Sequence, residues 1–68
     1  MTEDKLTIEI SILTSKIDTL VNLKKKLVED ERYEDAANVR DYIISIREII
    51  LIYTIMIEEE KKKQLGLS

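Results

Sequence analysis

Few side chains of this sequence could do chemistry, because it contains no histidine and no cysteine. Disulfides and zinc sites of the usual kind therefore lack their ligands. The serines have no activating base in reach other than lysine or carboxylate groups on helix surfaces. Glu34 and Asp41 share a helix face two turns apart, but such carboxylates are usually solvated surface charge. We expect no catalytic site, no metal site and no cofactor, and so a protein that is not an enzyme.

The lysines form two conspicuous triplets, 24–26 and 61–63. Acidic residues follow the first triplet and precede the second, which is typical of solvated helix surfaces. The alternative is that several chains bring lysines and arginines together, so that a small helical oligomer binds a nucleotide or another anion as a regulator or sponge. The net charge of -3 argues against general nucleic-acid binding, because nucleic-acid binders carry a basic surplus.

The composition predicts the elements that must position any site. A chain of 68 residues forms one domain at most, and 37% charged and 44% hydrophobic residues with no proline are typical of long helices or coiled coils. We expect an all-α fold in which residues 1–68 form one antiparallel two-helix hairpin, with helices at about 3–29 and 33–63 and a frayed tail at 64–68. The acidic start does not resemble a signal peptide and no apolar run could span a bilayer, so we expect a soluble, cytoplasmic protein without membrane contacts.

The first predicted helix has one narrow apolar stripe, which Lys24 interrupts. The stripe consists of Leu6, Ile10, Leu13, Ile17, Leu20 and Leu27, while Ile8, Ile12 and Leu23 lie off it. Thr2 is the candidate cap of this helix. The turn is placed in the charged stretch 29–32, which has no glycine or proline, and Asp30 is the candidate cap of the second helix. Gly66 is a natural helix stop.

The second predicted helix is apolar almost all round. One row contains Tyr33, Ala37, Ile44, Leu51 and Ile55, and another contains Val39, Ile43, Ile46, Ile50 and Ile57. A helix that is apolar all round is normally buried all round, and one narrow stripe cannot cover it. A β-strand over residues 49–57 is the alternative interpretation, but such a strand would have no partner strand.

The apolar surplus therefore predicts a homo-oligomer, a dimer or larger, that forms a helical bundle or coiled coil. Its interface is expected at the isoleucine-rich end of the hairpin, away from the turn. The predicted interface residues are Ile46, Ile49, Ile50, Ile52, Tyr53, Met56 and Ile57.

One stretch beside the turn has a distinctive pattern, Tyr-Glu-x-Ala-Ala-x-x-Arg-Asp at residues 33–41. With Ile43 after it, this stretch resembles the UVR motif, the helical hairpin shared by UvrB and UvrC, over roughly residues 24–46. The resemblance implies a protein-protein interaction module, because the motif joins two excision-repair proteins and also occurs in chaperone-linked proteins. No helicase, nuclease or zinc-binding region accompanies it in this sequence, so the resemblance implies a binding hairpin and not DNA repair.

The predicted interaction residues are Tyr33, Ala36, Ala37, Arg40 and Asp41. The two alanines allow close helix approach, Tyr33 can cover the hairpin base, and Arg40 can offer its fork to a carboxylate. The alternative interpretation is that these residues only hold one hairpin together.

Overall fold

The computed structural model describes residues 2–66, with side chains from residue 4 onward, and that part contains two α-helices. Helix α1 spans Thr2–Glu29 and helix α2 spans Tyr33–Gln64, and they pack side by side as an antiparallel hairpin. The predicted helix bounds are confirmed to within one residue. Residues 49–57 are helical throughout, so the β-strand alternative is wrong. The hairpin is a thin layer of 54 × 18 × 11 Å.

One seam of buried and half-buried side chains holds the two helices together. On α1 it follows the predicted stripe, with Lys24 included, and on α2 it consists of Ala36, Val39, Ile43, Ile46, Ile50, Tyr53 and Ile57. The steps along each helix alternate between three and four residues, which keeps one stripe facing the neighbouring helix. Ile46 is the most deeply buried of these residues, at 2% exposed. The seam thus selects one of the two predicted apolar rows of α2.

The other predicted row of α2 points away from α1. Ile44, Leu51 and Ile55 are 46%, 60% and 48% exposed, and Tyr33 is 62% exposed. The hairpin by itself therefore leaves large apolar side chains in water. The mismatch between a narrow stripe on α1 and a wide apolar surface on α2 is present in the structure as the sequence predicts.

Backbone hydrogen bonds close the turn between the helices. The Arg32 N–H donates to the Leu27 carbonyl oxygen at 2.8 Å, and the Glu31 N–H donates to the Val28 carbonyl oxygen at 3.0 Å. This pair of bonds is the Schellman arrangement, which needs a left-handed residue after the helix. Glu31 takes that conformation with a φ of 60°. The chain therefore turns where the charged stretch predicts, without glycine or proline.

Helix α2 begins after Arg32, and the predicted cap at Asp30 is wrong because Asp30 belongs to this turn. No side-chain hydrogen bond caps the helix at Arg32. The Arg32 guanidinium instead donates to one oxygen of Asp35, at 2.9 Å from Nε and 2.6 Å from Nη2. A carboxylate in the first turn also favours the positive end of the helix dipole.

Helix α2 ends at Gln64, and the predicted stop residue Gly66 follows two residues later with a φ of 73°, in the left-handed region that glycine adopts freely. The Gly66 N–H donates to the Lys63 carbonyl oxygen at 3.1 Å. The side chain of Thr2 and the last residues of the predicted tail, 67–68, lie outside the described part of the chain. Neither described helix combines the length and the apolar character that crossing a membrane would require.

Candidate protein-interaction site

The seam divides the thin hairpin into two broad faces. Helix periodicity determines which residues lie on each face. On both helices, the residue directly before a seam residue lies on one face, and the residue directly after a seam residue lies on the other. We call the first the isoleucine face, which on α2 contains Tyr42, Ile49, Ile52 and Met56. We call the second the arginine face, which on α2 contains Tyr33, Ala37, Arg40, Ile44, Arg47 and Leu51. The predicted interaction residues belong mainly to the arginine face.

A small open depression of about 230 Å³ lies on the arginine face beside the turn. We call its lining the turn patch, which consists of Lys24, Val28, Tyr33, Ala36, Ala37 and Arg40. Four of the five predicted interaction residues are in this list, and both helices contribute to it. The structure therefore brings these four predicted residues together in one concave surface.

Small side chains at critical positions form this depression. Ala36 is only 5% exposed, so it forms the floor, and a larger residue there would fill the space. Lys24 occupies a seam position on α1 where the other members are apolar. Its ammonium group and the Arg40 guanidinium give the lining two cations and no acid. The surface is thus apolar at its centre and positive at its edge.

Asp41 contacts the turn patch through Arg40. The Arg40 guanidinium donates to Asp41 Oδ1 at 3.3 Å from Nε and 3.2 Å from Nη2. The two side chains are 58% and 66% exposed, and ion pairs this exposed are weak. Asp41 therefore holds the Arg40 guanidinium only weakly, and the guanidinium can turn towards a carboxylate on another molecule.

The predicted oligomer-interface residues divide into two groups. Ile46 is buried and Ile50, Tyr53 and Ile57 are half-buried in the seam, where they contribute to packing within the hairpin. The remaining three, Ile49, Ile52 and Met56, are exposed and are available to another chain.

A second, larger depression of about 520 Å³ lies on the isoleucine face. It is lined by Ser11, Ile12, Ser15, Lys16, Thr19, Leu20 and Tyr42. The sequence-based prediction did not include this surface as a site. The sequence feature that could have indicated this surface is Ile12, which lies off the α1 stripe and so could not belong to the seam.

The fold and the turn patch define a class of protein, a small helical hairpin that presents an open apolar and cationic surface beside its turn. The comparison with protein families is specific: residues 14–49 match the UVR family, described as the UvrB/uvrC motif. The match covers more than half of the chain, and the protein belongs to the UVR family. Membership confirms the resemblance seen at residues 24–46 and indicates a helical interaction module. No curated protein and no solved structure matches the chain.

The matched residues include the whole turn patch and end at similar distances from the turn on both helices. Beyond them the hairpin continues as what we call the open end, residues 4–13 and 50–64. Among the residues whose side chains the structure describes, half of the exposed large hydrophobic ones belong to the open end or to the turn that follows it: Ile8, Ile12, Leu51, Ile52, Ile55, Met56 and Leu65. The family match therefore accounts for the turn patch but not for the apolar surface of the open end.

Proposed function

We propose that this protein is a non-enzymatic interaction module that binds another protein through the turn patch and associates with itself through the isoleucine-rich open end. The observation that carries the first part is the single depression that collects Tyr33, Ala36, Ala37 and Arg40 within the residues matched to the UVR family. The location we propose is cytoplasmic, with which a cysteine-free chain is compatible.

The lining of the turn patch suggests the chemistry of the partner. An apolar floor flanked by Lys24 and Arg40 suits a protein segment that places an apolar side chain next to a carboxylate. Interface energy usually concentrates in such anchors, where a buried side chain fills a pocket and a charged pair orients it. Arg40 is suited to the carboxylate because its planar fork can donate two parallel hydrogen bonds.

Self-association is supported by the amount of surface that one hairpin exposes. The accessible surface is 5435 Å², whereas a compact monomer of this mass would expose about 4450 Å². Burial of one isoleucine or leucine side chain contributes about 1.5–3 kcal/mol. Covering several exposed side chains of the open end would thus add a large fraction of the stability of a domain this small.

The experiment for the turn patch is a capture assay with the purified protein, followed by affinity measurement with the captured partner. We expect Arg40→Ala to weaken binding at least about tenfold, the effect of losing one charge-assisted contact. Arg47→Ala is the matched control, because Arg47 lies on the same face of α2, two turns further from the turn. Equal binding by Arg40→Ala and the unaltered protein, with circular dichroism showing intact helices, would refute this use of the patch.

The alternative function, binding of a nucleotide or another anion, is supported by the presence of Lys24 and Arg40 in one depression. The depression is smaller than the roughly 300–1000 Å³ typical of small-molecule sites, which favours the protein partner. A thermal-shift screen with nucleotides distinguishes the two functions. Stabilisation by a nucleotide that both Lys24→Ala and Arg40→Ala abolish would replace the protein partner by an anionic ligand.

A further inference from the structure

The isoleucine face carries exposed apolar side chains from both helices. Ile12 and Tyr42 line its depression, and Ile49, Ile52 and Met56 continue the surface along α2 at 38%, 55% and 45% exposed. We propose that two copies of this chain pack their isoleucine faces together, with their turns at opposite ends of the dimer. The inference rests on the self-association proposed above and specifies the face, the partner and the orientation.

The area available matches what a dimer needs. The surface of the hairpin exceeds that of a compact monomer of its mass by about 1000 Å². A standard stable interface buries about 800 Å² on each partner. Packing one broad face of each hairpin against the other would therefore remove most of the excess and form a four-helix arrangement.

Polar groups also favour the isoleucine face over the arginine face. The Thr19 hydroxyl donates to the Ser15 carbonyl oxygen at 3.3 Å, and the Ser45 hydroxyl donates to the Asp41 carbonyl oxygen at 3.2 Å. These hydroxyls keep their hydrogen bonds when covered, so their burial has little desolvation cost. The arginine face would instead have to bury the guanidinium groups of Arg40 and Arg47, which is costly without paired carboxylates.

Two charges on α1 determine the orientation. Glu9 and Lys16 precede the seam residues Ile10 and Ile17, so both lie on the isoleucine face, two helical turns apart. If the turns are at opposite ends, α1 packs antiparallel on α1 of the second copy. A twofold axis near Ile12 then places Glu9 of each copy beside Lys16 of the other.

The opposite orientation leaves these charges unmatched. If the turns are at the same end, α1 packs on α2 of the second copy, where the corresponding row is Tyr42, Ile49 and Met56. Glu9 and Lys16 would then face apolar side chains. Because unpaired charges are costly at a buried surface, charge complementarity selects the arrangement with the turns at opposite ends.

This arrangement has a functional consequence. The axis lies about 28 Å from each turn at about 1.5 Å per residue, so the two turns are about 55 Å apart, and the turn patches lie on the sides of the hairpins that point away from the contact. The arginine faces also remain uncovered. The dimer would therefore present two turn patches and bind a repeated or clustered partner with a gain from multivalency.

Sedimentation equilibrium at micromolar concentration tests the face. We expect twice the chain mass of 8.0 kDa for the unaltered protein. The double variant Ile49→Glu with Ile52→Glu should sediment as a monomer. The matched control is Ile44→Glu with Leu51→Glu, which places the same charges on the arginine face at side chains of similar exposure and should stay dimeric. Loss of the dimer in the control but not in the first variant would overturn the choice of face.

Charge exchange tests the orientation in chains that keep all their apolar residues. We expect Glu9→Lys and Lys16→Glu each to weaken dimerisation about tenfold, since each creates two like-charge contacts. The combination of both substitutions should restore the affinity, because opposite charges again meet. Failure of the combined variant to recover would overturn the antiparallel contact between the two α1 helices.

Cysteine cross-linking gives an independent geometric readout, because the chain has no cysteine of its own. We expect Ile12→Cys to form a disulfide-linked dimer with itself under mild oxidation, as it lies at the twofold axis. A mixture of Ile12→Cys and Ile52→Cys proteins cross-linking to each other instead would show turns at the same end and overturn the orientation.

Failure of this inference is distinguishable from failure of the proposed function. A monomeric unaltered protein would remove self-association as a whole. A dimer that survives Ile49→Glu with Ile52→Glu would remove only this face. Partner binding that depends on Arg40 would stand in either case, because Arg40 lies on the opposite face of the hairpin.

Discussion

The backbone N–H of Arg32 donates a 2.8 Å hydrogen bond to the carbonyl oxygen of Leu27, across the turn that joins the two helices. The bond requires a left-handed backbone at Glu31, whose φ is 60°. Leu27 itself is 8% exposed, so the turn covers the last buried residue of α1. This local geometry places Tyr33, the first residue of α2, at the edge of the turn patch.

The first prediction concerns Glu31. A side chain in the left-handed region costs about 1–2 kcal/mol, and glycine avoids this cost while it loses about 0.5–1 kcal/mol through greater freedom of the unfolded chain. We expect Glu31→Gly to raise the free energy of unfolding by about 0.5–1 kcal/mol, measured by chemical denaturation at one fixed protein concentration.

The control for this prediction is Glu31→Ala, which removes the same charge but keeps a Cβ atom in the left-handed region. It should give no comparable gain. If alanine and glycine stabilise equally, repulsion among the acids of the turn is the cause, and the backbone explanation is wrong.

The second prediction concerns the seam. Ile46 is 2% exposed, whereas Ile44, two residues earlier on the same helix, is 46% exposed. We expect Ile46→Ala to lower the free energy of unfolding by about 2–5 kcal/mol, the range for truncation of a buried aliphatic side chain. A protein of this size that loses so much of its free energy of unfolding should be largely unfolded near room temperature.

Ile44→Ala is the matched control for the seam, because it deletes the same atoms from the arginine face. Its effect should be below about 1 kcal/mol, as is usual for exposed positions, in thermal unfolding followed by circular dichroism. Similar losses in the two variants would mean that the arginine face is as deeply covered in solution as the seam.

The third prediction concerns Lys24, which is half-buried at a seam position and also lines the turn patch. Lys24→Leu should stabilise the hairpin by about 1 kcal/mol, since an apolar side chain gains more from partial burial there. The same variant should bind the partner of the turn patch more weakly, because the lining loses one of its cations. Stability and binding would then move in opposite directions.

Lys25→Leu serves as the control for Lys24, since Lys25 is exposed and lies outside the turn patch. It should change neither unfolding nor partner binding appreciably. A destabilised Lys24→Leu protein would contradict the prediction and show that the lysine stem already packs better than leucine could.

Much of the fold could be predicted from the order of residue types. The alternating steps of three and four from Leu6 to Leu27 indicate one helix with one buried stripe, and the wholly charged residues at 29–32 mark the turn. The pattern at 33–41 was sufficient to indicate the family. The cap of α2 was not predictable in this way, because Asp30 has a suitable side chain but the backbone bonds of the turn place it before the cap position.

The sequence by itself determined that two amphipathic helices form, where they are joined, and that α2 has more apolar surface than α1 can cover, because periodicity and local turn chemistry depend on neighbouring residues along the chain. Only the tertiary structure decided which apolar row of α2 enters the seam. Tyr33 and Ile50 both belong to apolar rows, yet packing against α1 half-buries Ile50 and leaves Tyr33 exposed. The two broad faces, and the depression that unites Lys24 with Arg40, likewise exist only once the helices are side by side. The physical reason is that periodicity defines the directions of side chains around one helix, whereas burial depends on which of those directions the other helix occupies.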